Sequence, residues 1–117
     1  MLDRETSGLC EAIEALLVLE FEYEGLPRVV CPYLHGRKPT GVESLRAIQV
    51  GGRSRSGHFG HGKLWDLPKI EKLRLTTTKF FPDDPLYNPN DSAFAEIHCR
   101  VRRFAADLAA GPHHRRG

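Results

Sequence analysis

The strongest constraint on the fold is a change in the spacing of apolar residues at Leu19. Before this point apolar residues recur every three or four positions, which predicts a short amphipathic helix capped by Thr6 or Ser7. From Leu19 to Tyr23 apolar residues alternate with glutamates, which predicts a strand with one buried and one solvated face. The domain therefore starts with a helix and continues as a sheet.

Four further segments have the composition of strands and are separated by turn signals. Glu24-Gly25 reverses the chain into a second strand, Arg28 to Leu34, in which Pro32 indicates an edge, a bulge or the strand end. The other strands are predicted over residues 44–50, 63–67 and 73–78. The strand over 44–50, the third in the chain, is apolar on both faces and is therefore expected to be central. A turn over 37–41, a long loop over 51–62 and a tight connection over 68–70 join them. Five short strands at this spacing predict a small β-barrel.

The C-terminal part combines an irregular segment with a second predicted helix. Three prolines between residues 82 and 90 exclude a regular element, so this segment is expected to wrap the barrel. Asn90 or Asp91 then caps a helix with a predicted core face of Phe94, Ile97, Val101, Phe104 and Leu108. With residues 111–117 as a disordered tail, the prediction is one domain over residues 1–110, mainly β with flanking helices (α+β).

Composition excludes several classes of protein. A chain of 117 residues with 40% hydrophobic and 27% charged residues suits one compact domain rather than a disordered or fibrous protein. The longest apolar run, residues 15–19, is too short to cross a membrane, and the acidic N-terminal region does not resemble a signal peptide. We therefore expect a cytoplasmic protein. Cys10, Cys31 and Cys99 lack close spacing, so we expect reduced, buried thiols rather than a disulfide framework.

The charge is distributed unevenly along the chain. Residues 1–24 contain seven acids and one base, net −6, whereas residues 25–117 contain sixteen bases and eight acids, net +8. This asymmetry permits a basic surface that attracts nucleic acid or phosphorylated ligands.

The order of these segments resembles the WYL domain over roughly residues 9–81. The matching features are an Ala-Ile-containing helix, Leu-x-Phe-x-Tyr23, Arg28-Val-Val-x-Pro32, Leu45-Arg-Ala, and a Trp/Leu strand before Pro-Lys-Ile-x-x-Leu73. A strand ending in Leu-Arg-Ala-x-Gln49 before a Gly/Ser loop, and Tyr-Asn-x-x-Asp91, are similar to the small stand-alone WYL-like proteins and extend the match to about residue 101. The resemblance implies a bacterial Sm-like, SH3-type barrel that binds or senses a ligand in transcription regulation or in stress and defence signalling.

The chain departs from the WYL pattern at two points, and it also leaves no room for a helix-turn-helix motif. The name-giving Trp-Tyr-Leu falls on Glu43-Ser44-Leu45. The usual arginine before the isoleucine of the fourth-to-fifth-strand connection is Lys69, which keeps the charge without the bidentate fork that grips phosphate. Only about eighteen residues precede the predicted barrel, too few for a helix-turn-helix motif, so we expect a sensor module rather than a complete transcription factor.

The predicted ligand site is the basic loop over residues 51–62 and the strands beside it. Five glycines in this loop allow close backbone approach, and its arginines and serines can donate hydrogen bonds to an anion. The predicted ligand-binding residues are Arg46, Gln49, Arg53, Ser54, Arg55, Ser56, Lys63 and, as an aromatic in a polar loop, Phe59. The ligand is predicted to be single-stranded nucleic acid or a nucleotide. The loop lacks the Lys-Ser/Thr ending of a P-loop, so the prediction includes no catalytic residue and no cofactor.

Four alternatives remain open from the sequence. The loop charges could simply be solvated, or the chain could be an interaction module that uses Phe59 and its helix faces to contact a second copy or a partner regulator. A weaker alternative is a zinc site formed by His58, His61, Cys31 and His35. The least favoured is a nuclease that uses His58 and His61 as acid and base.

Overall fold

A computed structural model describes residues 4–53 and 62–101, with the side chains from residue 8 onwards. Within these ranges there are one α-helix, six strands and one 3-10 turn. They are α1 (Arg4–Ala15), β1 (Leu17–Tyr23), β2 (Leu26–Arg37), β3 (Glu43–Gly52), β4 (Lys63–Asp66), the 3-10 turn (Leu67–Lys69), β5 (Ile70–Lys79) and β6 (Glu96–Arg100). The mainly β class, the N-terminal helix and all five predicted strands are confirmed.

All six strands belong to one antiparallel sheet. The order is β4-β3-β2-β1-β5, and β6 pairs with β2. On β2, residues 26–30 pair with β1 and residues 34–37 pair with β6, so the long central strand has partners along most of its length. The third strand lies inside the sheet, between β4 and β2, as its two apolar faces predicted.

The sheet is strongly curled around its aromatic core. The Trp65 ring on β4 lies 5.4 Å from Phe21 and 5.0 Å from Tyr23, measured between ring centroids, although both partners are on β1. In a flat sheet these strands would be about 14 Å apart, because two other strands separate them. The face that carries these rings is therefore concave. Leu9 and Ile13 of α1 are fully buried and belong to the same core.

The predicted second helix is wrong through residue 101. Asp91 starts a single turn, in which its carbonyl accepts from the amide of Phe94, and the chain then forms β6. The physical reason is that β1 covers only residues 26–30 of β2. The backbone groups of residues 34–37 on the same edge of β2 are left to pair with β6. Phe94 and Val101 are buried, as predicted, but they lie just after the turn and just after β6. The remaining predicted helical positions and the predicted tail lie outside the described residues.

The prediction of three reduced cysteines is wrong for two of them. Cys10 of α1 and Cys99 of β6 form a disulfide across a sequence separation of 89 residues. Their wide spacing hid the pairing, because it is the tertiary fold that places the helix against β6. Cys31 is free and buried, as predicted. Disulfides persist mainly in oxidising compartments, so the cytoplasmic location stays a prediction.

Pro32 lies next to a β-bulge, one of the three options that its position allowed. Pro32 pairs with Ala47 and Leu34 pairs with Arg46, which leaves Tyr33 without a partner on β3. A bulge changes the direction of side chains locally. It brings the Tyr33 ring to the side of the sheet where Arg46 and the segment over 80–91 lie.

Within the described ranges, the only helix is too short and too polar to cross a membrane.

Candidate functional site

A cavity of about 310 Å³ lies between β3 and the segment over residues 84–91. Its lining residues are Tyr33, Arg46, Ile48, Gly62, Asp84, Leu86, Tyr87, Asn88 and Asp91. This volume is at the lower end of the range for small-molecule sites, and the wall combines aromatic, charged and amide groups. Of the predicted ligand-binding residues that the structure describes, only Arg46 lines the cavity.

The charged centre of the cavity is the pair Arg46–Asp91. Arg46 donates from Nε to Asp91 Oδ2 at 2.7 Å and from Nη2 to Oδ1 at 3.2 Å. Burial alone would raise the pKa of Asp91, but hydrogen bonds from Arg46 and from the Ala93 amide outweigh it and hold the pKa below its usual value. Asp91 is thus ionised at neutral pH. Arg46 also donates from Nη1 to the Gly62 carbonyl at 3.3 Å, which ties it to the end of the loop.

Tyrosines form the aromatic side of the cavity. The Tyr33 ring lies 4.9 Å from Tyr87 and 5.6 Å from Phe80, and the Tyr33 hydroxyl accepts a hydrogen bond from the Asp84 amide at 3.2 Å. Burial raises the pKa of both Tyr33 and Tyr87 to about 12. Both phenols are therefore neutral, and neither acts as a base at physiological pH.

Gln49 lies on the opposite face of β3 from Arg46 and does not line the cavity. Its Oε1 accepts from Nη1 of the buried Arg28 at 3.3 Å, and its Nε2 donates to the carbonyls of Gly51 and Arg53 at 2.8 Å each. These contacts satisfy polar groups that would otherwise be buried without partners. Gln49 therefore positions the start of the basic loop rather than facing the cavity.

The two ends of the basic loop are fixed by the sheet. The Arg53 amide donates to the Pro27 carbonyl at 2.8 Å, and Gly52 has a φ of +83°. A Cβ at Gly52 would lie 2.3 Å from that same carbonyl oxygen, so only glycine fits this approach. At the other end Lys63 places its Nζ 5.8 Å from the centre of the Trp65 ring. Ser54, Arg55, Ser56, Phe59, His58 and His61 lie outside the described residues.

The described walls of the cavity do not form an anion site by themselves. They carry one positive side chain, Arg46, and two carboxylates, Asp84 and Asp91. An anionic group would need cations beyond these walls; the loop that ends at Gly62 contains Arg53 and Arg55 in its sequence.

A second cluster surrounds His35, which is fully buried in β2. His35 Nε2 lies 2.9 Å from Glu43 Oε1, and His98 Nε2 lies 3.0 Å from the same oxygen. His35 Nδ1 lies 3.9 Å from Cys10 Sγ in the disulfide. Burial lowers the pKa of His35, although the nearby Glu43 carboxylate opposes this shift, so the ring is neutral at physiological pH.

The alternative zinc set that included Cys31 and His35 is not supported by the positions of these two residues. Residues four apart on a strand are separated by about 13 Å, too far to share one ion. Burial, followed by the charge of Asp83, raises the pKa of the Cys31 thiol to about 11, which disfavours the thiolate that binds metal. His35 instead faces Glu43 and His98. Sequence reasoning missed these partners because residues 35, 43 and 98 form no motif.

Comparison with protein-family models, curated proteins and solved structures finds no match to this chain. The resemblance to the WYL domain therefore stays a prediction.

Proposed function

We propose that the chain is a non-enzymatic binding module that holds a nucleotide, free or in single-stranded nucleic acid, at the Arg46 cavity and the adjacent basic loop. The observation that carries the proposal is the Arg46 guanidinium, which Asp91 fixes at the cavity wall and which contacts Gly62, the last loop residue. We also propose that the sheet closes into a WYL-type barrel and that the module has a regulatory role.

The cavity supplies groups that suit a nucleobase. Tyr33 and Tyr87 provide an aromatic wall, and contact between bases and aromatic side chains contributes about 1–3 kcal/mol per base. Asp84 and Asp91 accept hydrogen bonds from exocyclic amino groups, whereas Asn88 can donate and accept. These polar groups would recognise the edge of a base rather than a phosphate.

The loop supplies the groups that suit a phosphate. In the proposed site Arg53 and Arg55 would supply positive charge from the basic loop, and the loop glycines and serines would offer backbone and hydroxyl donors. In this arrangement the base and the phosphate contact different parts of one site. This division explains how a cavity with two carboxylates can belong to a site for an anionic ligand.

The test is fluorescence anisotropy of labelled single-stranded DNA, RNA and adenosine nucleotides at low and physiological salt. We expect salt-sensitive binding that weakens at least about tenfold in Arg53→Ala/Arg55→Ala and in Arg46→Met, since each change removes charge-assisted hydrogen bonds. The control is Arg74→Ala, which removes an exposed cation on β5, outside the cavity lining. Absence of binding at low salt, or equal weakening in the control, would refute the proposal.

A protein-interaction module is the second candidate, because three large apolar side chains are exposed among the described residues, Val50, Phe81 and Leu86. Phe81 is 59% exposed and Leu86, which also lines the cavity, is 62% exposed. Burial of such side chains drives association that depends little on salt. Salt-insensitive self-association in sedimentation, lost in Phe81→Ser/Leu86→Ser, together with no nucleotide binding, would favour this candidate.

A further inference from the structure

Three metal-ligating side chains from three strands converge at one end of the sheet. Glu43 Oε1 of β3 lies 2.9 Å from His35 Nε2 of β2 and 3.0 Å from His98 Nε2 of β6, and Glu43 Oε2 lies 3.3 Å from His98 Nε2. His35 is completely buried, while the side chains of Glu43 and His98 are 28% and 24% exposed. The cluster is thus buried on its inner side and reachable by an ion on its outer side.

These separations are slightly shorter than those of ligands around a small tetrahedral ion, and the three ligand atoms all lie within 4.8 Å of one another. Zinc binds imidazole nitrogen and carboxylate oxygen at about 2.0–2.2 Å, which places neighbouring ligand atoms roughly 3.3–3.5 Å apart. A small increase in the observed 2.9–3.3 Å separations would accommodate the ion. We propose that His35, Glu43 and His98 form a binding site for a divalent ion of the zinc class. Three protein ligands leave a fourth position for water.

The surroundings support such a site. The Cys10–Cys99 disulfide joins α1 to β6 immediately beside His98, which fixes the position of this ligand. The second ring nitrogen of His35 faces Cys10 Sγ at 3.9 Å, so a metal at Nε2 leaves that contact in place. The second ring nitrogen of His98 faces Glu96 Oε2 at 3.9 Å. At 3.9 Å this contact is longer than a hydrogen bond, and it would have to shorten for the carboxylate to orient a ligating ring.

A competing set uses the other side of His35. Cys10, His35 and Cys99 also place their ligand atoms close together, but the two sulfurs are joined in the disulfide. Only the reduced protein could offer them as thiolates, which are the form that binds metal. In the oxidised protein the ion would be held by nitrogen and oxygen ligands alone. The Co²⁺ form would then lack the thiolate charge-transfer band that sulfur ligands produce.

The experiment is equilibrium dialysis of the oxidised protein against Zn²⁺ with metal analysis, followed by absorption spectra of the Co²⁺ form. We expect one bound equivalent of Zn²⁺ and visible cobalt bands without a thiolate charge-transfer band in the near ultraviolet. Glu43→Gln and His98→Gln should each weaken binding at least about tenfold, because each removes or weakens one ligand. Glu22→Gln is the control, since it removes a partly exposed carboxylate on β1, away from the cluster.

Three results would overturn the proposal: no stoichiometric binding, binding unchanged in Glu43→Gln and His98→Gln, or a thiolate band in the oxidised Co²⁺ form. Binding that appears only after reduction, and that no longer depends on His98, would assign the ion to the cysteine side of His35 and refute the present assignment. Circular dichroism of Glu43→Gln and His98→Gln, which change partly exposed side chains, checks that both variants fold. Nucleotide is absent throughout, so failure here is separate from failure of the proposed function.

Discussion

Removing the Cys10–Cys99 disulfide should cost the protein a large part of its stability. The bond closes a loop with a sequence separation of 89 residues in a chain of 117, so it restricts most of the unfolded chain. For a loop of about 90 residues the chain-entropy relation gives about 4.6 kcal/mol at 25 °C, near the upper end of the 2–5 kcal/mol typical for native disulfides. We therefore expect Cys10→Ser/Cys99→Ser to lower the free energy of unfolding by about 3–5 kcal/mol.

Guanidinium chloride unfolding, followed by the fluorescence of the buried Trp65, measures this loss. The oxidised wild type is compared with the double variant and with the wild type in reductant, which should agree with each other. Both should also show a larger denaturant slope, because their unfolded chain is less compact. Cys31→Ala is the control, since it keeps the cross-link and should lose stability on reduction as the wild type does. A double variant within about 1 kcal/mol of the oxidised wild type would refute the loop-entropy reasoning.

Three further predictions concern single positions. Because burial raises the pKa of Cys31 to about 11, iodoacetamide should label this thiol only after unfolding, and rapid labelling of the folded protein would contradict its burial. Hydrogen bonds from Ser44 and Lys38 hold the pKa of the Asp66 carboxyl below its ordinary value of 3.8. The stability they confer is present above that value and lost as pH falls through the lower folded pKa, so thermal unfolding of Asp66→Asn should show a weaker acid dependence than the wild type. A Cβ at Gly36 would lie 2.3 Å from a β6 carbonyl oxygen. Gly36→Ala should therefore destabilise the protein by about 1–3 kcal/mol and speed amide hydrogen exchange in β6. Unchanged exchange rates in β6 would contradict that close approach.

The sheet could be predicted because its signals are local. Alternation over Leu19–Tyr23 identifies a strand without knowledge of its partners, and Glu24-Gly25 adopts the positive φ angles, +54° and +76°, of a tight hairpin turn. The prediction of a second helix was wrong for the opposite reason, because the deciding signal there is not local. Apolar residues at Phe94, Ile97 and Val101 fit a helical spacing, but the free edge of β2 decided the structure there, and no local pattern reveals that edge.

The sites were less predictable because they depend on which face of a strand each residue occupies. Arg46 and Gln49 are three positions apart on β3 and therefore face opposite sides of the sheet, although both were predicted to bind one ligand. The alternation of strand side chains was sufficient to show this. By contrast, the approach of His98 to His35 depends on the pairing of β6 with β2, which the predicted helix excluded.

The cavity and the His35 cluster share β2 and β3 but should act independently. On β3, Glu43 and Arg46 are three residues apart, which corresponds to about 10 Å along the strand and places their side chains on opposite faces. Sites at this separation without a common partner contribute additively within about 0.5 kcal/mol. Glu43→Gln/Arg46→Met should therefore show the sum of the two single losses in unfolding free energy. Zinc affinity should be unchanged in Arg46→Met, and nucleotide affinity unchanged in Glu43→Gln. A coupling energy above about 1 kcal/mol would instead show that the strands transmit a change at one site to the other.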